Sequence, residues 1–333
     1  MKAVVTGGAG FIGSHLTRKL LEQGREVVIA DDISRGSIQN LLDLGIQASD
    51  VGLRPSDPVV DLRDFAQASK VIQGAETVFH LAARIGSIDF LHGSDSHELE
   101  ALQSNLLIDA NVFKVCLKEN VKKLVYASSV AVYPLDLQQS PDATFSEDAL
   151  DYFDPDGGYG WAKLMGEIQL GWTSQIDVGI ARIFNVYGEN QDLVKAVHVI
   201  PALFLKANRY PEQEFVVWGD GKQSRDFLYV SDCTDALLQL EKKASSPPII
   251  ANVGSGKPVS IGTVAEKVVG LSGKDIKIIY DPTKPVGPLS RTADITKART
   301  LLDWQPKVSL DDGLRRTYLW IQRSLGTAVR AMQ

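Results

Sequence analysis

The sequence is poor in the residues that build metal sites and disulfide scaffolds. Its 333 residues include only two cysteines, Cys116 and Cys233, and five histidines. None of these falls in CxxC or Cys/His ligand spacing, so neither a metal site nor a disulfide framework is expected. Cys116 lies in an apolar helical stretch, where a thiol reads as packing. No run of about 18 apolar residues occurs, so no membrane span is expected. Positive charge is in deficit, with 35 Lys and Arg against 41 Asp and Glu and a net charge of −6. That leaves no electrostatic footprint for nucleic acid. Met1-Lys2-Ala3-Val4-Val5 runs directly into an apolar strand and its turn, without room for a signal peptide, and a cytoplasmic protein is the expectation.

What is present is an alternation of short β-branched runs with helical periods. Ala3 to Thr6, Glu26 to Ala30, Thr77 to His80 and Lys123 to Ala127 read as buried strands, with helical patterns such as Phe11 to Gln23 between them. The rhythm predicts an α/β fold, a Rossmann-type doubly wound parallel sheet with helices on both faces. Past residue 184 the rhythm loosens into loops and shorter elements, as expected of a smaller C-terminal α/β domain. Two helical stripes stand out: Leu99, Leu102, Leu106, Ala110, Phe113 and Leu117, and Trp161, Met165, Ile168 and Trp172. Either they cover the sheet or they form a helical bundle shared by two subunits.

The first chemical motif is Thr6-Gly7-Gly8-Ala9-Gly10-Phe11-Ile12-Gly13, which follows a strand and opens a helix. Gly7 permits the tight turn, Gly10 lets the backbone approach a pyrophosphate, and Gly13 allows close packing of helix on strand. The helix start, with Phe11 and Ile12, then offers N–H groups and the positive dipole end to phosphate. Asp31, eighteen residues beyond Gly13 and followed by Asp32, ends the second strand. A carboxylate there accepts from the adenosine ribose hydroxyls and repels a 2′-phosphate, which favours NAD over NADP. Arg35 nearby is the residue that could tolerate that phosphate. Asp61 and Leu62 are expected to contact the adenine, with a plain turn as the alternative.

The second motif is Tyr159 and Lys163, a Tyr-x-x-x-Lys pair whose i, i+4 spacing puts both on one helix face. A free tyrosine, with a pKa near ~10, is a poor base at neutral pH. A neighbouring ammonium and a positive nicotinamide ring would stabilise the phenolate. Ser128 and Ser129 close the strand that begins at Lys123, and strand ends are where open α/β sheets place ligands. A hydroxyl there can donate to the oxygen being oxidised and share its proton with Tyr159. Simple capping is the other reading.

Together these residues resemble the extended short-chain dehydrogenase/reductase superfamily, in its NAD-dependent nucleotide-sugar epimerase and dehydratase branch, which includes UDP-glucose 4-epimerases and GDP-mannose 3,5-epimerases. The likeness covers nearly the whole chain. His80-Leu81-Ala82-Ala83 resembles the family's fourth-strand segment beside the cofactor. Ser128 to Tyr133 resembles its catalytic-serine segment and puts the catalytic hydroxyl on Ser129, and Tyr159 to Lys163 matches its YGxxK helix. Arg182 to Gly188 resembles the RxFNVYG segment, whose Asn, here Asn185, reaches the substrate diphosphate. Gly219 to Phe227 resembles a segment whose Arg, here Arg225, pairs with that diphosphate. Arg291 and Asp294 match a late Arg-x-x-Asp that contacts phosphate and nucleoside ribose. Two guanidiniums can bind a diphosphate in bidentate fashion. The resemblance implies an NAD-binding domain over 1–183 and a nucleotide-sugar domain over 184–325, with segments around 226–256 returning to the first. It also implies a homodimer and a UDP- or GDP-linked sugar as substrate.

Within that branch, dehydratases and uronate decarboxylases carry an acid just after the catalytic Ser or Thr, where this chain has Val130 and Ala131. The stretch Leu81 to Phe90, including Gly86 and Ser87, resembles the GDP-mannose 3,5-epimerase loop and is expected at the substrate. That enzyme and GDP-fucose synthase place an acid/base cysteine where this chain has Ala131. His198 matches a catalytic histidine of the fucose synthase and is expected either to touch the chemistry or to form a polar wall of the substrate site. With both acids missing, the simplest reaction is oxidation at C4, rotation of the 4-keto sugar and reduction on its other face. A 3,5-epimerase, a 4-keto-sugar reductase and an NAD-binding regulator without catalysis are the alternatives.

Overall fold

The computed structural model describes residues 1–52, 59–85, 94–150, 153–194 and 198–331. Its main sheet is made of β1 (Lys2–Thr6), β2 (Glu26–Ala30), β3 (Thr77–His80), β4 (Lys123–Ser129), β6 (Asp177–Ile183) and β10 (Ile249–Val253). A two-residue strand, β5 (Thr144–Phe145), lies between β4 and β6 in sequence. The sheet order is β10-β6-β4-β3-β1-β2, and every neighbouring pair is parallel. Parallel strands covered on both faces read as continuous apolar runs, and β3 is buried at all four positions.

Helix α1 (Phe11–Glu22) follows β1, the five-residue α2 (Ile38–Leu42) follows β2, and α3 (Phe65–Ile72) precedes β3. Helix α4 (Asp95–Lys118) then leads into β4, and α5 (Gly157–Gly171) into β6. One apolar core packs Leu16 and Leu20 of α1 with Leu237 and Leu240 against one face of the sheet. The other packs Ala68 and Ile72 of α3 with Val112 and Val115 of α4 against the opposite face. From β1 the chain steps outward to β2 and then back across to β3. That reversal is where open α/β sheets hold ligands.

Beyond β6 come β7 (Asn185–Tyr187), α6 (Val199–Arg209), β8 (Phe215–Trp218) and β9 (Ser224–Tyr229). After α7 (Val230–Lys243) and β10 follow β11 (Pro258–Ser260), α8 (Ile261–Ser272), β12 (Ile278–Asp281) and β13 (Thr292–Ala293). Helices α9 (Thr296–Leu302) and α10 (Leu310–Ala331) complete the chain. The small sheets β11-β9-β7, β12-β8 and β13-β5 and a third core around Phe204, Phe215, Val264 and Leu314 hold this part at the strand ends of the main sheet.

The helical stripes correct the sequence reading. Helix α4 buries Phe113 of its stripe together with Ala101, Asn105, Asp109, Val112, Val115 and Cys116, while Leu99 and Leu117 of the stripe are exposed, as is Leu107. On α5, Trp161 and Trp172 are likewise exposed. The inner face of α4 carries polar Asn105 and Asp109, so an apolar count alone points to the wrong side of the helix. The stripes are divided: Phe113 and Ile168 pack in the cores against the sheet, while Leu99, Leu117, Trp161 and Trp172 face outward.

Candidate active site

The glycine turn is a tight backbone cradle. Gly7 has a positive φ of 69°, and its amide donates to the Ala30 carbonyl at 2.7 Å. A Cβ on Gly13 would stand 2.0 Å from the Gly7 carbonyl oxygen and 2.9 Å from Gly8 Cα, so helix and turn touch only because no side chain intervenes. Gly10 caps α1 without a side-chain acceptor, which leaves the first-turn amides of Phe11, Ile12 and Gly13 to an external anion. Asp31 faces this turn: its carboxylate accepts from Ala9 N at 2.9 Å and Ile33 N at 2.8 Å. Burial pushes its pKa up, against the pull of those amides. Asp32 is exposed and accepts from Ser34.

Leu81, Ala82 and Ala83 run beside the turn, with Ala82 N at 3.0 Å from where a Gly7 Cβ would lie. Asn105 fixes their exit by accepting from Arg84 N at 2.7 Å and donating to Arg84 O at 2.9 Å. Leu62 is buried, and Asn111 holds its carbonyl at 3.0 Å. Asp61 is paired with Arg63 at 2.8 Å, which holds its carboxyl below the usual range. These groups form one cradle of glycine amides, ribose-directed carboxylate and apolar wall, and it fits a dinucleotide.

Ser129, Tyr159 and Lys163 converge at the same strand ends. Tyr159 is 9% exposed and Lys163 1%. Ser129 is near enough to Tyr159 to favour its phenolate, and Ser129 Oγ accepts from Ala131 N at 3.2 Å. Lys163 Nζ sits 4.6 Å from the Tyr126 ring centre and 5.9 Å from that of Tyr159. Among the described residues it has no hydrogen-bond partner. A buried ammonium without a partner is costly, and the ribose hydroxyls of a bound dinucleotide are suitable acceptors. The sequence expectation of a lowered Tyr159 pKa includes the positive nicotinamide beside Lys163. Without that ring, burial pushes it up to about 12, ahead of the opposing pull of Ser129. In the protein by itself Tyr159 is a phenol, and the positive nicotinamide is needed to make it a base.

Ser128 departs from expectation. It is 3% exposed, and successive strand residues point to opposite faces, so it turns away from Ser129. Its hydroxyl donates to Glu167, which grips Arg182 through contacts of 2.8, 3.0 and 3.2 Å. Arg182 donates onward to the Glu147 carbonyl at 2.8 Å and to Tyr133 Oη at 3.2 Å. Ser128 thus spends its donor inside the protein. Sequence reasoning missed this buried network, although Glu167 lies four residues after Lys163 on the helix face that enters the protein.

Two arginines come from later segments of the chain. Arg225 donates to the carbonyls of Ser224, Pro288 and Val286 at 2.7, 2.8 and 3.1 Å. Burial and then repulsion from Arg291 push its pKa down to about 10. Arg291 donates to Gln138 Oε1 at 2.5 Å and pairs with Asp156, a partner absent from the sequence reading. Asp156 caps the very helix that carries Tyr159. Two guanidiniums near enough to repel each other could suit a diphosphate. Asn185 has a buried side-chain oxygen without a partner among the described residues. Asp294 accepts from Thr296 N at 2.9 Å, which holds its pKa down. His198 is exposed; loss of hydration lowers its pKa, with Asp192 opposing and Arg35 adding to the shift. Gly86 and Ser87 lie outside the described residues.

Comparison with known proteins agrees with this geometry. Residues 3–254 match the NAD dependent epimerase/dehydratase family. The chain is 29% identical over 328 residues to GDP-mannose 3,5-epimerase 1 of Oryza sativa subsp. japonica, covering 98% of this chain and 82% of that protein. It is 32% identical over 336 residues to GDP-L-fucose synthase 1 of Arabidopsis thaliana, covering 97% and 94%. Its fold is similar to the crystal structure of Thermotoga maritima UDP-glucose 4-epimerase with UDP-glucose, at a TM-score of 0.84, 26% identity, and 98% and 100% coverage. The chain belongs to the NAD-dependent epimerase/dehydratase family.

Proposed function

We propose that this chain epimerises a nucleoside-diphosphate sugar at C4 through a transient 4-keto sugar, with NAD kept bound through turnover. The observation that carries the reading is the Ser129–Tyr159–Lys163 cluster beside the buried side chains of Val130 and Ala131. The groups for redox at one carbon converge, while no carboxyl or thiol follows the serine to move a ring-carbon proton.

NAD, when bound, supplies the hydride acceptor and then the donor. Tyr159 takes the C4 hydroxyl proton as a phenolate, and Ser129 steadies the sugar oxygen by hydrogen bonding. Lys163 holds the phenolate electrostatically and reaches the nicotinamide ribose. Arg225 and Arg291 hold the diphosphate while the keto sugar turns, and Tyr159 returns the proton when the opposite face is reduced. Proton and electron pair both end where they began, so no net redox change results.

The exposed Leu99, Leu107, Leu117, Trp161 and Trp172 on α4 and α5 support a homodimer through these helices. Tyr159→Phe keeps the ring and removes the base. We expect it to retain NAD and to lose turnover of every nucleotide sugar that the parent converts. Full activity in that variant would overturn the assignment.

A further inference from the structure

Behind the catalytic lysine runs a buried chain of hydrogen bonds that the reaction above does not use. Thr6 Oγ1 accepts from the amides of Leu81 and Ala82, both at 3.1 Å, so its own proton goes to His80 Nδ1 at 2.7 Å. That fixes the His80 tautomer, and Nε2–H donates to Asp109 Oδ1 at 2.9 Å. Tyr126 Oη donates to the other oxygen, Asp109 Oδ2, at 2.6 Å. His80 and Asp109 are 0% and 1% exposed, and burial keeps His80 neutral by lowering its pKa. Asp109 is thus held by two neutral donors.

Two carboxylates favour charge on Lys163, Asp109 first and Glu167 second, against the burial that disfavours it. Glu167 is matched by Arg182 in a bidentate pair, so its charge is already balanced. Asp109 has no such cation. Tyr126 touches both, with the ammonium over its ring 4.6 Å from the centre and its hydroxyl bonded to Asp109. A phenol that donates to a carboxylate presents a more negative ring face, which strengthens its hold on a cation.

We propose that Asp109 is the counter-charge of Lys163, linked to it through Tyr126, and is a positioning residue for the Tyr159–Lys163 pair. The inference deepens the epimerase reading and rests on it for its meaning, though not for its test. The groups that face this cluster are His80 on β3, Tyr126 on β4, Tyr159 and Glu167 on α5, and Arg182 on β6. Asp109→Asn removes the charge and keeps the shape: the amide oxygen can still accept from His80 Nε2–H, and the new NH2 can donate to Tyr126 Oη.

Removing a buried negative charge lowers the pKa of every neighbouring group, by on the order of one unit at this separation. The test is 13Cε-lysine NMR on the NAD-loaded protein, with the Lys163 signal assigned by its loss in Lys163→Arg. Asp109→Asn is expected to move the Lys163 titration about one unit toward acid. Where a substrate is in hand, both limbs of the kcat/KM profile move the same way. A purely structural role lowers rate or stability and leaves these midpoints in place. An unmoved Lys163 in folded Asp109→Asn overturns the inference. If that variant does not fold, 13Cγ-aspartate NMR of the unaltered protein decides: Asp109 ionised at neutral pH supports the inference, and Asp109 protonated overturns it. A chain that turns over no sugar nucleotide defeats the epimerase reading and leaves both titrations standing.

Discussion

Ser128 and Ser129 adjoin in sequence and do opposite work. The strand's alternation gives one hydroxyl to the reacting centre and the other to Glu167. Tyr159 is more delicate, because burial alone opposes its role as a base. Binding of oxidised NAD places a positive ring near it, so phenolate absorbance should emerge at lower pH in the loaded protein than in the bare one, with Tyr159→Phe abolishing the difference. The arginines act on binding: Arg225→Ala removes a charged partner of the diphosphate and should weaken nucleoside-diphosphate binding about 10- to 100-fold by calorimetry. At this scale Ser129, Tyr159, Lys163 and the glycines were legible because each motif has local spacing. Glu167, Arg182 and Asp156 were not, since their partners lie 15 and 135 residues away along the chain.

Among the elements, α5 is fitted to its place by missing side chains. A Cβ on Gly158 would lie 2.3 Å from the Glu98 carbonyl, and one on Gly166 2.3 Å from Tyr126 Oη. The second contact seats Lys163 against Tyr126, so Gly166→Ala should disturb both α5 and the buried Asp109 network. Breaking the Arg182–Glu167 pair, 4% and 5% exposed, with Arg182→Met should cost about 3–5 kcal/mol in denaturant unfolding, because a carboxylate is left buried alone. On the outer side of the same helices, Trp172, 80% exposed, tests the proposed homodimer. Trp172→Glu should shift the protein toward monomer in analytical ultracentrifugation while leaving the fold intact. The β-strands were readable from their unbroken apolar runs. The facing of α4 was not, because its inner surface pairs polar Asn105 with the Arg84 backbone and Asp109 with His80 of β3 and Tyr126 of β4.

At the scale of the molecule, the sheet reversal between β2 and β3 offers the place for the dinucleotide, and the arginines proposed to hold the diphosphate come from later segments. Asp31 couples the cofactor side to pH. Its raised pKa means that, without cofactor, its contribution to stability is present in acid and lost as pH rises through that pKa. NAD needs the ionised form, so its affinity should fall toward tenfold per pH unit below the same midpoint, at a higher pH than an ordinary carboxylate would give. The two-lobed reaction site follows from chain order that the glycine and Tyr-x-x-x-Lys motifs announce. The sugar and its base do not follow, since they depend on loop shapes that no spacing rule encodes. The most direct test of the central claim is proton NMR of turnover in heavy water, with no added reductant, across UDP- and GDP-sugars. Redox at C4 alone predicts a 4-epimer with no deuterium on the ring, whereas deuterium at C3 or C5 would contradict it.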